Sequence, residues 1–305
     1  MQFLCIGVNE SAGRLKECLA NELNSNNKLC KKYRIIDVID SEGSTSIECH
    51  IEEENEHSDI YFNLYNELVL NVSDVLANYI IDEYEEKLIL RIINSNYCYF
   101  NSVEKKEIQR IALGIINNEE RSFLNSLFQI KRRNIIIKKL LEYFEHSNSV
   151  ILDGFVNFRL KDYVKDLEEI VDKAVDDFLM EREYKEFIRL LRYFVDIQEP
   201  KFNVIHIIAG YDNKYILLDE NKHEITNECL QEFMNDLPEG EINYDDLLVS
   251  SLITMAPRKL IIHGTKGFRN KELLETIKNV FWGKLIVCSE CELCIINCVR
   301  SENKS

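Results

Sequence analysis

The sequence has no continuous apolar run approaching the roughly 18–20 residues needed to cross a bilayer, and its long periodic segments carry charged faces. No membrane span is expected. The apolar opening at residues 3–8 is too short for a secretory signal and has no basic stretch ahead of it, so the mature chain is expected to start there. Exact internal repeats and low-complexity tracts are also missing. There is no glycine-rich phosphate loop ending in Gly-Lys-Ser or Gly-Lys-Thr, no paired-His zinc-protease motif and no Gly-x-Ser-x-Gly elbow. These absences remove the familiar enzyme assignments. Positive charge is in deficit: 37 Lys and Arg against 53 Asp and Glu leave a net charge of −16, which repels phosphate at long range. A cytoplasmic protein without nonspecific nucleic-acid binding is expected.

What is present suffices for ordinary cores: 305 residues, 46% of them hydrophobic. The pattern predicts an α+β or mixed α/β fold with a central multi-helix region between small N-terminal and C-terminal β-containing segments, which have the option of sharing one sheet. Residues 1–58 read as a small α/β segment, with strands at 3–8, 33–39 and 46–51 and a helix at 14–23. Residues 59–199 read as a helical bundle. There Val72, Val75, Leu76, Tyr79 and Ile80 recur on one helical face, and Ser102 is placed to cap the next helix. A stripe from Phe155 through Tyr163, Leu167 and Val171 to Phe178 predicts a central helix starting at Asp153. Pro200 marks the end of the helical region.

Residues 200–305 read as a mixed α/β region with a terminal cysteine cluster. Strands at 202–209 and 215–218 suit a hairpin, and Asn243 is placed to cap a helix ending before Pro257. Then come a strand at 259–263, a helix capped by Asn270, Gly283 as its terminator, and a strand at 285–288. That strand-helix-strand unit is long enough for a parallel crossover, which places the C-terminal ends of both strands on one side.

Cysteine supplies the sharpest chemical signal. Six of the ten are dispersed and are expected to be reduced core side chains, whereas Cys288, Cys291, Cys294 and Cys298 lie together at spacings of three, three and four. Thiolates in so short a run suit zinc or an iron-sulfur cluster, because donation to metal stabilises the deprotonated sulfur. A ferredoxin is disfavoured, since Val299 replaces the usual proline and no second run exists. If the strands ending at His263 and Cys288 are neighbours, His263 reaches the cysteine loop and replaces Cys298 as the fourth ligand. Free thiols or opportunistic disulfides are the other reading.

Charged segments invite other readings. Residues 121–139 hold six Lys and Arg with no acid, including Arg132 and Arg133, while residues 162–177 are strongly acidic. Packing of these helices either brings the signs together or leaves both sets solvated, the latter being the expectation since exposed pairs contribute only about 0–1 kcal/mol. A local anion-binding face is the functional alternative. His206 in an apolar strand is expected to be a packed imidazole, Arg159 to lie along the bundle, and Asp245 and Asp246 to favour a helix dipole. No catalytic constellation assembles from these residues.

Asp153-Gly-Phe-Val-Asn-Phe-Arg-Leu-Lys-Asp-Tyr163 resembles the central segment of the YtxC-like sporulation protein family. The resemblance continues through residues 181–196, 245–257, Ile262-His263 and 271–278, and covers roughly residues 60–294. It includes Cys288, Cys291 and Cys294 and does not extend to Cys298. It implies a cytoplasmic sporulation protein of an endospore-forming bacterium, with no biochemical activity to carry onto particular residues. The first expectation is thus a structural or interaction protein with a protein partner. The alternative is a zinc- or iron-sulfur-binding protein with a redox or regulatory role.

Overall fold

The computed structural model describes residues 3–8, 12–25, 33–39, 45–51, 59–118, 123–209, 215–226, 244–265, 268 and 270–294. It divides into two compact units, Met1–Leu179 and Met180–Ser305. Among the described residues, no helix is long and apolar enough to cross a membrane. Along the chain a multi-helix segment follows the N-terminal strands and precedes the C-terminal ones, which is the mixed α/β class expected. The strands form two separate four-stranded sheets and do not share one.

In the first unit the sheet comprises β1 (Phe3–Val8), β2 (Tyr33–Ile39), β3 (Thr45–Ile51) and β4 (Ser149–Ile151), in the order β2-β3-β1-β4. Alternation puts Leu4, Ile6, Ile47 and Cys49 on the covered face. The helices are α1 (Ala12–Ser25), α2 (Asp59–Asn96), α3 (Ser102–Asn118), α4 (Phe123–Phe144), α5 (Leu152–Arg159) and α6 (Lys161–Ile197). Residues of α6 through Leu179 belong to this unit, and those from Met180 to the second.

Three local features depart from expectation. Asn101, not Ser102, caps α3: its side chain accepts from the Val103 and Glu104 amides while Glu104 accepts from the Asn101 amide, a reciprocal capping box. The stripe expected as one helix from Asp153 breaks at Leu160, whose backbone (φ −95°, ψ 34°) leaves helical geometry. The basic run of α4 is not simply solvated. Arg132, only 2% exposed, donates to Glu85, which also accepts from the Tyr163 hydroxyl at 2.6 Å. Arg133 pairs with Asp74, and Lys131 lies 3.7 Å from Asp166. The acids of α2 and α6 meet the bases of α4 because burying an Arg demands a partner.

The second unit builds its sheet from β5 (Val204–Ala209), β6 (Tyr215–Leu218), β7 (Lys259–His263) and β8 (Leu285–Cys288), in the order β6-β5-β7-β8. β5 and β6 are antiparallel, whereas β5-β7 and β7-β8 are parallel. Helices α7 (Tyr244–Met255) and α8 (Lys271–Val280) complete it, with the C-terminal turns of α6 contributing Ile188 and Val195 to the core. Asn270 caps α8 by accepting from the Leu273 amide, and Gly283 at φ 81° makes the turn into β8. Asn243 lies outside the described residues.

Candidate metal centre

The crossover from β7 through α8 to β8 fixes the geometry of the site. In the parallel register His263 is the direct partner of Cys288, and both are the last residues of their strands. Since side chains alternate along a strand, Ile261 and His263 share one face with their partners Ile286 and Cys288. The opposite face carries Leu260 and Ile262, fully buried in the core. The His263 ring therefore points to the cysteine loop, as the sequence argument requires.

Beyond Cys288 the chain turns back at once. The Glu290 and Cys291 amides donate to the Cys288 sulfur, and the Cys294 amide donates to the Cys291 carbonyl at 2.9 Å. The Gly264 amide donates to the Cys288 carbonyl at 3.1 Å, tying the loop to the end of β7. Sulfurs of Cys291 and Cys294 then stand 3.6 Å apart, and His263 Nδ1 lies 3.1 Å from Cys291 and 3.5 Å from Cys294. All four ligand atoms, with Cys288 included, lie within 4.8 Å of one another. Around a tetrahedral zinc, sulfurs are about 3.8 Å apart and sulfur to nitrogen about 3.5 Å, from bond lengths of about 2.3 and 2.0 Å. The cluster is thus capable of coordinating one metal ion. His263 and Cys294 are buried, and Cys288 and Cys291 are half-buried.

Electrostatics favours ligand-competent forms at two of these positions. Backbone amides of Glu290 and Cys291, followed by the Cys291 side chain, lower the Cys288 pKa and stabilise its thiolate. Burial, with His206 and Lys222 adding to it, lowers the His263 pKa and keeps the imidazole neutral. Cys294 is the exception: burial first, then the Cys291 contact, raises it to about 11. A bound cation reverses that preference, because coordination displaces the thiol proton.

Sequence reasoning missed His206. Its Nδ1 lies 2.8 Å from His263 Nε2, and the two rings stack at 5.1 Å between centroids. With Nε2 of His263 donating to His206, the Nδ1 lone pair is left facing the sulfurs, which is the tautomer a metal ligand requires. Burial, then Lys222, lowers the His206 pKa. The signal that finds this pair is strand parity. His206 opposes Ile261 and Ile208 opposes His263, so both histidines lie on one face, but this is visible only once the register is known.

The remaining candidates are placed elsewhere. Cys298 lies outside the described residues. Asp245 accepts from Tyr215 at 2.6 Å and from Asn270 at 2.8 Å, a tie between β6, α7 and the α8 cap. Arg159 lies 5.8 Å from the centre of the Tyr143 ring.

Comparison with known proteins finds the same family over a shorter span, which ends before Cys288. The YtxC-like family matches residues 70–286. A protein of Bacillus subtilis (strain 168), described as "Uncharacterized protein YtxC", is 26% identical over 210 residues, 68% of this chain and 72% of that protein. No solved structure matches.

Proposed function

The chain belongs to the YtxC-like family, and we propose that it is a zinc-binding protein whose ion is held by His263 Nδ1 and the sulfurs of Cys288, Cys291 and Cys294. The observation that carries this reading is the convergence of all four ligand atoms within 4.8 Å on a loop held by its own backbone hydrogen bonds. Three thiolates and an imidazole form the donor set of closed structural zinc sites. An iron-sulfur cluster spreads its cysteines over several irons, and a set this tight suits a single ion better. Zinc here has a structural role, fastening the terminal loop to the ends of β7 and β8, with Cys298 not required.

Metal analysis of full chain purified under reducing conditions without chelator tests the proposal. About one zinc per chain is expected, falling to near zero in Cys291→Ser and in His263→Ala, with removal of zinc costing about 4 kcal/mol of stability when free zinc stands a thousandfold above Kd. Full chain that holds no metal, and takes up none when titrated with zinc chloride, sinks it.

A sporulation-associated interaction role draws on a different observation. Phe187, Leu190, Tyr193, Phe194 and Ile197 on the C-terminal part of α6 are exposed large apolar residues. Water does not favour so much apolar surface on one helix, and another copy of this protein is the simplest cover for it. This reading predicts a solution mass above the monomer that Phe187→Ser with Leu190→Ser reduces to the monomer. A monomeric parent chain rejects it.

A further inference from the structure

The first unit holds a cavity of about 550 Å³ with no part in the zinc reading. It lies where α4 ends, α5 ends and α6 begins, and its volume falls within the roughly 300–1,000 Å³ typical of small-molecule sites. Buried Leu160 anchors the corner between α5 and α6, so the residues on either side of it are turned outward. Phe158 is 74% exposed, and Arg159 and Lys161 line the cavity beside it.

The lining combines three chemistries in one space. Arg159, Lys161 and Lys139 bring positive charge to a chain that is strongly acidic as a whole. Glu142 is engaged by Lys138 and Lys139 at 3.9 and 3.6 Å, whereas among the described residues Arg159 and Lys161 are held in no ion pair. Phe158 and Tyr143 offer aromatic faces, and Asp162 offers a carboxylate. A guanidinium fork suits phosphate oxygens, an aromatic face suits a nucleobase, and a carboxylate accepts from ribose hydroxyls. A nucleoside monophosphate is a ligand class that uses all three.

We propose that this cavity binds a nucleoside monophosphate, with its phosphate on Arg159 and Lys161, its base against Phe158 and its ribose toward Asp162. Phosphate recognition then comes from side chains, consistent with the lack of a glycine-rich loop. No covalent step is involved.

Calorimetric titration of the full chain with AMP, GMP, adenosine and inorganic phosphate tests the assignment. Saturable binding of AMP or GMP is expected, at least about tenfold tighter than phosphate or adenosine alone. Arg159→Gln and Phe158→Ala each weaken it by about tenfold or more, since base stacking and a charge-assisted phosphate contact have that order of effect. Both side chains line the cavity surface and neither is buried, and circular dichroism and the melting temperature check that the variants fold. Absence of saturation up to about 5 mM of either nucleotide overturns the proposal. So does nucleotide binding that both folded variants leave unchanged, or phosphate that binds as tightly as AMP.

Discussion

In the helical unit Glu85 sits between Arg132 and Tyr163, while in the terminal sheet His263 sits between His206 and the sulfurs of Cys291 and Cys294. Both clusters are polar and largely withdrawn from water. They differ in what balances them. In the first, a carboxylate accepts from a guanidinium and a phenol, so opposite charges offset each other within the protein. In the second, three sulfurs and a ring nitrogen bring only electron pairs to a common point once the thiols ionise. A balanced cluster is architecture. A cluster of donors of one kind is able to hold a cation, and that contrast is why one reads as core and the other as a candidate site.

The contrast is most directly broken at Arg132. Arg132→Ala leaves Glu85 buried without its counter-charge and is expected to cost about 3–5 kcal/mol in urea unfolding, with zinc content unchanged. A loss below about 1 kcal/mol would mean that Glu85 is relieved by water or protonation, and the two clusters would no longer differ in kind.

A buried thiol sharpens it further. Burial, with Cys5 adding to it, raises the Cys49 pKa to about 12. The folded value lies above that of the unfolded chain, so this contribution is complete below about pH 9 and is lost as pH rises toward 12. Stability is expected to fall by about 2 kcal/mol between pH 9 and 11, and Cys49→Val should flatten that limb. The thiols of the proposed zinc site carry the opposite sign, because metal binding displaces protons and weakens as pH falls. Zinc affinity that rises on acidification would contradict the assignment.

The smallest effect belongs to His206. His206→Ala keeps all four ligands but removes the group that orients His263, so zinc affinity is expected to drop about 10–100-fold in a chelator competition. Restoration by His206→Asn, which retains an acceptor, would distinguish orientation from packing. An unchanged affinity in His206→Ala would leave His206 a simple packed imidazole.

Much of the terminal sheet was legible because its signals are local. Asn270 as a cap, Gly283 as a terminator and a crossover of sufficient length together imply parallel β7 and β8, and thence the meeting of His263 with Cys288. Illegible features depend on residues far apart in the chain. β4 has three residues, too few for a period, and exists through its pairing with β1. Arg132 finds Glu85 across 47 positions, which no spacing rule reveals. Leu160 breaks the helical stripe without glycine or proline, at a position where a buried leucine holds a corner. His206 read as packing because its neighbour on the sheet face is set by register, not by sequence proximity.

Among the described residues, β8 is the outermost strand of its sheet and pairs with β7 alone. Such a margin is the place where a sheet begins to fray. The four candidate ligands straddle that seam, one on the inner strand and three on the outer strand and its loop. An ion gripped across it would act as a rivet, and peeling β8 away would mean ejecting the ion. Resistance of the chain's tail to proteases would then report zinc supply more sensitively than the melting of the whole molecule.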